Sequence, residues 1–161
     1  MNKIKKYRKE IITICIILFI LAGYHILAPV FIKIPFKAPK TTIRYNDKSI
    51  PTSLGDHNWI PKEGGSSYET QGEYTVGVNT TKFEAKPNDI LNISVPWNPK
   101  SVAIYQILGD NVKYKKCKIY RAGKGYEFKF PVKRGQYIFE VFAKWDEDMH
   151  NTATIFRVDI Q

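Results

Sequence analysis

Few residues in this chain could do chemistry by type and spacing. The titratable nucleophiles and metal ligands are three histidines, His25, His57 and His150, and two cysteines, Cys15 and Cys117. The densest acidic group is Asp146-Glu147-Asp148-Met149-His150. Oxygen-rich loops can hold Ca²⁺, but the glycine-turned spacing of an EF-hand is absent here. A zinc hydrolase would need three protein ligands and a general base, and neither His57 nor His150 has a paired His or Cys nearby. Asp146, Glu147, Asp148 and His150 therefore stand as one metal-binding candidate whose simpler reading is a solvated hairpin tip. No cofactor is expected.

Nucleophilic chemistry would fall to Cys117. Lys115, Lys116 and Lys118 surround it, and nearby cations lower a thiol pKa. A dyad with His57 or His150 can be drawn, but a cysteine in a strand is more often inert. Ser66 and Ser67 lack the Gly-x-Ser-x-Gly elbow, and Gly123-Lys124-Gly125 is too short for a phosphate loop. His25 lies at the outer end of an apolar run, where an interfacial histidine is the plainer reading than an intramembrane functional group. The chain thus reads as a non-enzyme.

Charge is the stronger surface signal. Lys+Arg number 25 against 15 Asp+Glu, a formal net charge of +10. Lys113, Lys115, Lys116, Lys118, Arg121, Lys124, Lys129, Lys133 and Arg134 fall within residues 112–134, opposed only by Glu127. Such a stretch attracts anions in a salt-dependent way. Lysines on edge strands also guard against edge-to-edge aggregation, so the charge has a structural reading beside the functional one. Lys113, Lys115, Lys116, Lys118 and Arg121 are the candidate binding residues, together with Trp59, the large apolar anchor in the irregular residues 46–72. Long irregular loops in compact domains are functional or mobile.

The elements that must position these residues begin with an address. Residues 1–10 carry five basic groups and one acid. Ile11 to Ala28 is IITICIILFILAGYHILA, and Val30-Phe31-Ile32 prolongs its apolar character. Eighteen helical residues span ~27 Å, close to the hydrocarbon core of a bilayer. The flanking Lys3, Lys5, Lys6, Arg8 and Lys9 place the N-terminus in the cytoplasm by the positive-inside rule.

A single-pass signal anchor over residues 11–32 is preferred to a cleavable signal peptide. Pro29 directly after Ala28 hinders cleavage there, and Leu21-Ala22-Gly23 is a mediocre site. A lipoprotein signal is rejected, because Cys15 sits near the start of the run. Pro35, Pro39 and three lysines then make residues 33–41 an extended stalk. The outer domain begins at residue 42. With Cys15 inside the apolar run, Cys117 has no partner there, so that domain must rest on its core.

Beyond residue 40 strict apolar alternation recurs and no sustained 3.6-residue period is visible. Gly135 to Trp145 sets Tyr137, Phe139, Val141, Ala143 and Trp145 on one face, with Glu140 and Lys144 on the other. Thr152 to Ile160 likewise sets Thr154, Phe156, Val158 and Ile160 against Arg157 and Asp159. The two read as a hairpin joined by the polar residues 146–151. Further strands are expected at Thr42 to Tyr45, Tyr74 to Val78, Lys82 to Ala85, Ile90 to Val95, Ser101 to Ile107, Val112 to Tyr120 and Tyr126 to Phe130. This spacing predicts an all-β, immunoglobulin-like antiparallel sandwich over residues 42–161. Pro131-Val-Lys-Arg-Gly135 before Tyr137 matches the corner in which a tyrosine hydroxyl returns to the backbone.

Lys133-Arg134-Gly135-x-Tyr137-x-Phe139-Glu140-Val141-x-Ala143-Lys144-Trp145, with Phe156-x-Val158 after it, resembles small uncharacterised surface-anchored β-sandwich proteins of low-GC Gram-positive bacteria. Lys86-Pro-Asn-Asp89, Pro99-Lys-Ser-Val102 and Gly55-x-x-x-Trp59 fit the same pattern, which spans roughly residues 42–161. The abundance of Lys, Ile, Asn, Tyr and Phe, all encoded by AT-rich codons, agrees with such a source. Members are often lipoproteins, and this chain departs from them in lacking the lipoprotein cysteine. The resemblance implies fold and location but no activity.

The expectation is a membrane-anchored, extracytoplasmic binding or interaction module. Its partners would be anionic lipid, a phosphate-bearing wall polymer or a protein, with nucleic acid excluded by topology. Alternatives are a peptidase-inhibitor-like or signalling-partner domain, and a hydrolase using Cys117 or the acidic loop at 146–150.

Overall fold

A computed structural model describes residues 7, 10–20, 23, 34–35, 37–60, 66–69, 72–109, 114–146 and 149–161. The chain divides into two compact units, Met1–Pro35 and Phe36–Gln161. In the first, residues 10–20 form a helix, α1. Its Ile11, Ile12, Ile14, Ile16, Ile17, Leu18, Phe19 and Ile20 are all exposed. Among the described residues no helix is long and apolar enough to cross a membrane. Residues 21, 22 and 24–32 of the expected span lie outside the described residues.

The second unit is two mostly antiparallel sheets. The first sheet has the order β2 (Lys48–Ser49), β1 (Thr42–Tyr45), β6 (Ile90–Ser94), β10 (Gly125–Lys129), β9 (Ile119–Ala122). The second runs β4 (Ser66–Tyr68), β3 (Ser53–Trp59), β12 (His150–Ile160), β11 (Gly135–Lys144), β7 (Ser101–Ile107), β8 (Tyr114–Cys117). β5 (Lys82–Ala85) adds in parallel beside the end of β12, pairing Arg157 with Lys82 through Ile160 with Ala85. β3 pairs with the beginning of the same strand, His150 opposite Trp59.

The alternation predicted for the last two strands is what joins the sheets. Phe139, Val141 and Ala143 are fully buried, as are Phe156 and Val158 on β12. The Phe139 ring meets Phe128 of the opposite sheet at 4.9 Å and Phe156 at 5.4 Å. Each of these valine and phenylalanine side chains contributes about 1.5–3 kcal/mol by leaving water. The corner before β11 also forms as expected: Gly135 has φ +140°, and the Tyr137 hydroxyl donates to the Lys133 carbonyl at 2.8 Å.

Three expectations are corrected. Tyr74 to Val78 is not a strand but lies within a helix, α2 (Glu73–Asn79). Thr75, Val76, Gly77 and Val78 are poor helix formers, and so short a helix has little stability of its own. Packing holds it: Tyr74 and Val76 lie on Ile107, Ile138 and Ile155, the outward-facing side chains of the second sheet. Tertiary contact thus overrides local propensity.

Val112 to Tyr120 is not one strand either. β8 belongs to the second sheet and β9 to the first, and the chain passes between the sheets at Lys118. The described residues between 46 and 72 are more regular than expected, holding β2, β3 and β4. Gly55 permits this packing, since a Cβ there would lie 2.9 Å from Ala153 Cβ and 3.0 Å from Ile155 Cδ1.

Candidate functional site

The described basic residues follow the crossover between the two sheets rather than one strand. β8 is the edge of the second sheet and β9 the edge of the first. Lys115 and Lys116 on β8, Lys118 at the crossover, Arg121 on β9 and Lys124 in the next turn are all exposed. The cations therefore run down one open side of the sandwich. The Lys118 ammonium lies 5.0 Å from the centre of the half-exposed Tyr120 ring, which holds it over an aromatic face. None of Lys115, Lys116, Lys118 or Arg121 forms an ion pair among the described residues; the surface pair is Lys82 with Asp159, at 2.8 Å. Lys113 lies outside the described residues.

Trp59 does not belong to this surface. It is 1% exposed, with Trp145 at 5.1 Å and the His150 ring at 4.9 Å, both edge-on. The sequence around it is punctuated by glycine and proline, which masked a strand whose last residue turns inward. Trp145 in turn donates its indole N–H to the Trp97 carbonyl at 3.0 Å. The tryptophan end of the sandwich is core.

The acidic loop resolves in the same direction. Asp146 Oδ1 accepts from the backbone N–H of Met149 and of His150, each at 2.9 Å, and Oδ2 contacts His150 Nδ1. Burial pushes this carboxyl up, but the His150 side chain and the two backbone donors outweigh it and hold it below its ordinary value. Asp146 is thus the turn-forming residue of the β11–β12 hairpin. Glu147 and Asp148 lie outside the described residues, and among the described residues no group of His, Cys, Asp or Glu is placed to hold a metal.

Cys117 is half-buried, its thiol 3.5 Å from the Lys115 carbonyl. Burial pushes the thiol above its ordinary value, against the pull of a backbone hydrogen bond at Gln106 and the Lys115 ammonium. A raised pKa means less thiolate at neutral pH, the opposite of an activated nucleophile.

A second site was missed by sequence reasoning. Glu140 was expected on the face of β11 opposite Phe139 and Val141, and although it lies there it is only 4% exposed. It does point away from the inter-sheet core, but α2 covers that face and brings Glu73 to it. Burial first, then the charge and hydrogen bond of Glu73 and the charge of Asp56, push the Glu140 carboxyl up to about 8. Around it opens a pocket of about 300 Å³ lined by Glu73, Tyr105, Tyr114, Glu140 and Phe142. Tyr105 stands directly opposite Glu140 in the β7–β11 ladder, and the Tyr114 hydroxyl donates to Glu73. Burial and that hydrogen bond raise the Tyr114 pKa as well. The signal was present in Ile138-x-Glu140-x-Phe142: two large apolar neighbours share the face of the carboxylate, so that face also needed a cover.

No family model matches the chain, and no curated protein or solved structure does either.

Proposed function

We propose that the chain is a non-enzymatic surface module. In this reading an immunoglobulin-like sandwich is held outside a bacterial membrane by its N-terminal apolar helix and contacts a phosphate-rich anionic surface through its basic edge. The observation that carries the contact is the line of exposed cations from Lys115 to Lys124 along the crossover between the sheets, without counter-ions on Lys115, Lys116, Lys118 or Arg121 among the described residues. A row without counter-ions among the described residues favours an external polyanion. The exposed isoleucines all round α1 support the anchor, since a helix apolar on every side needs an apolar surrounding. The basic residues before it support an outward-facing domain. The Tyr137 corner supports the immunoglobulin-like assignment.

The anions in such a setting are lipid headgroups and wall polymers bearing phosphate. Cosedimentation of the Phe36–Gln161 unit with phosphatidylcholine vesicles, with and without phosphatidylglycerol, separates the first from no binding. Retention on immobilised poly(glycerol phosphate) reports the second. At about 1 kcal/mol per basic residue near an anionic surface, K115Q/K116Q/K118Q weakens binding on the order of a hundredfold, and added salt weakens the parent protein. Binding that ignores both the substitutions and the salt would refute the assignment.

A further inference from the structure

The pocket beside α2 carries an inference of its own. Its floor is Glu140, nearly inaccessible to water, whose hydrogen-bond partner is a second carboxyl, Glu73. A buried acid is ordinarily paired with a cation or with neutral donors. No cation fills that role among the described residues. Lys116 stands beside Tyr105 in the β7–β8 ladder, but it is exposed and forms no ion pair there. Arg157 is engaged elsewhere, donating to the Val78 carbonyl at 2.6 Å and to Gln136 Oε1 at 2.8 Å. Among the described residues the site therefore presents buried acid without a counter-ion, and the other residues lining it are the aromatic Tyr105, Tyr114 and Phe142.

From this geometry we propose that the pocket formed by Glu73, Tyr105, Tyr114, Glu140 and Phe142 binds the ammonium group of an organic amine. The aromatic walls select for this class. A weakly hydrated alkylammonium gains from ring faces, whereas a hard metal ion needs a shell of oxygens. The described carboxylates do not converge as a metal-ligand set. A volume of about 300 Å³ lies at the small end of ligand pockets and suits a small amine or the head of a longer one. Until the amine arrives, burial keeps the Glu140 carboxyl protonated and so uncharged. On binding, the ammonium group stays a cation, the Glu140 proton leaves to solvent, and the carboxylate left behind pairs with the cation.

The test uses the full chain in non-ionic detergent, with choline and its uncharged isostere 3,3-dimethylbutan-1-ol as probes. Choline is expected to shift the ring resonances of Tyr105, Tyr114 and Phe142 saturably and to release protons in calorimetry. The isostere should bind at least ten times more weakly. Glu140→Gln and, independently, Tyr105→Leu should each weaken choline binding at least tenfold while retaining a cooperative thermal melt. K115Q/K116Q/K118Q should not weaken it, which separates this site from the basic edge. Equal binding of the isostere, absence of saturable binding in the parent protein, or parent-like affinity in Tyr105→Leu would each overturn the proposal. Binding of Ca²⁺ in place of choline, with the ring signals unmoved, would overturn it too. Should Glu140→Gln fail to fold, the Tyr105→Leu result and the isostere comparison still decide the matter.

Discussion

Gly77 in α2 and Ile138 in β11 approach so closely that a Cβ on residue 77 would stand 2.2 Å from Ile138 Cγ2 and 3.1 Å from its Cδ1. This contact seats the helix on the second sheet and so decides that Glu140, two residues along the same strand face, is covered. Alanine is the better helix former by about 1 kcal/mol, whereas forcing a methyl into a filled space costs about 1–3 kcal/mol. The clash falls on Cγ2, an atom held close to the β11 backbone, so overpacking wins. Gly77→Ala is expected to lower the melting temperature by several degrees. In an Ile138→Ala background the same change should be neutral or stabilising. A Gly77→Ala protein as stable as its parent would mean that the helix does not rest there.

The Glu140 carboxyl makes stability depend on pH with a definite sign. Its folded-state pKa is raised to about 8 from an ordinary value of 4.5. The contribution is fully present below about pH 4.5 and is lost as pH rises through about 8, because the unfolded chain gives up the proton first. Facing it are Glu73 of α2, Asp56 of β3, and Tyr105 and Tyr114 of β7 and β8, with Lys116 exposed on the same face. The loss across this window is on the order of a few kcal/mol. Urea midpoints measured from pH 5 to about pH 8 should fall for the parent protein and stay nearly level for Glu140→Gln. Parallel profiles would show that another group controls the dependence.

The corner ahead of β11 offers a smaller test. Tyr137→Phe removes only the hydroxyl that donates to the Lys133 carbonyl and leaves the ring stacked on Phe139 at 5.9 Å. The bond contributes about 1 kcal/mol. Equilibrium unfolding in urea should therefore show a modest fall in midpoint with an unchanged slope. A neutral substitution would mean that Gly135 and the flanking turn hold the corner without it.

Some of this was legible in the residues alone. The period-two stripes Phe139, Val141, Ala143 and Phe156, Val158, Ile160 specify strands and their inward faces, because side chains alternate strictly across a pleated chain. The Tyr137 corner and the cationic density of residues 112–134 were equally plain, since both rest on short-range spacing. Tertiary structure decided the rest. Residues 73–79 have the composition of a strand and are helical because a hydrophobic face without a cover lay waiting. Trp59 is core and not surface because its strand ends against Trp145 and His150. Glu140 is a buried acid because a helix more than sixty residues earlier in the chain closes over it. Alternation tells which side of a strand a residue occupies, but what lies against that side is set by contacts between distant segments, and no local pattern encodes them.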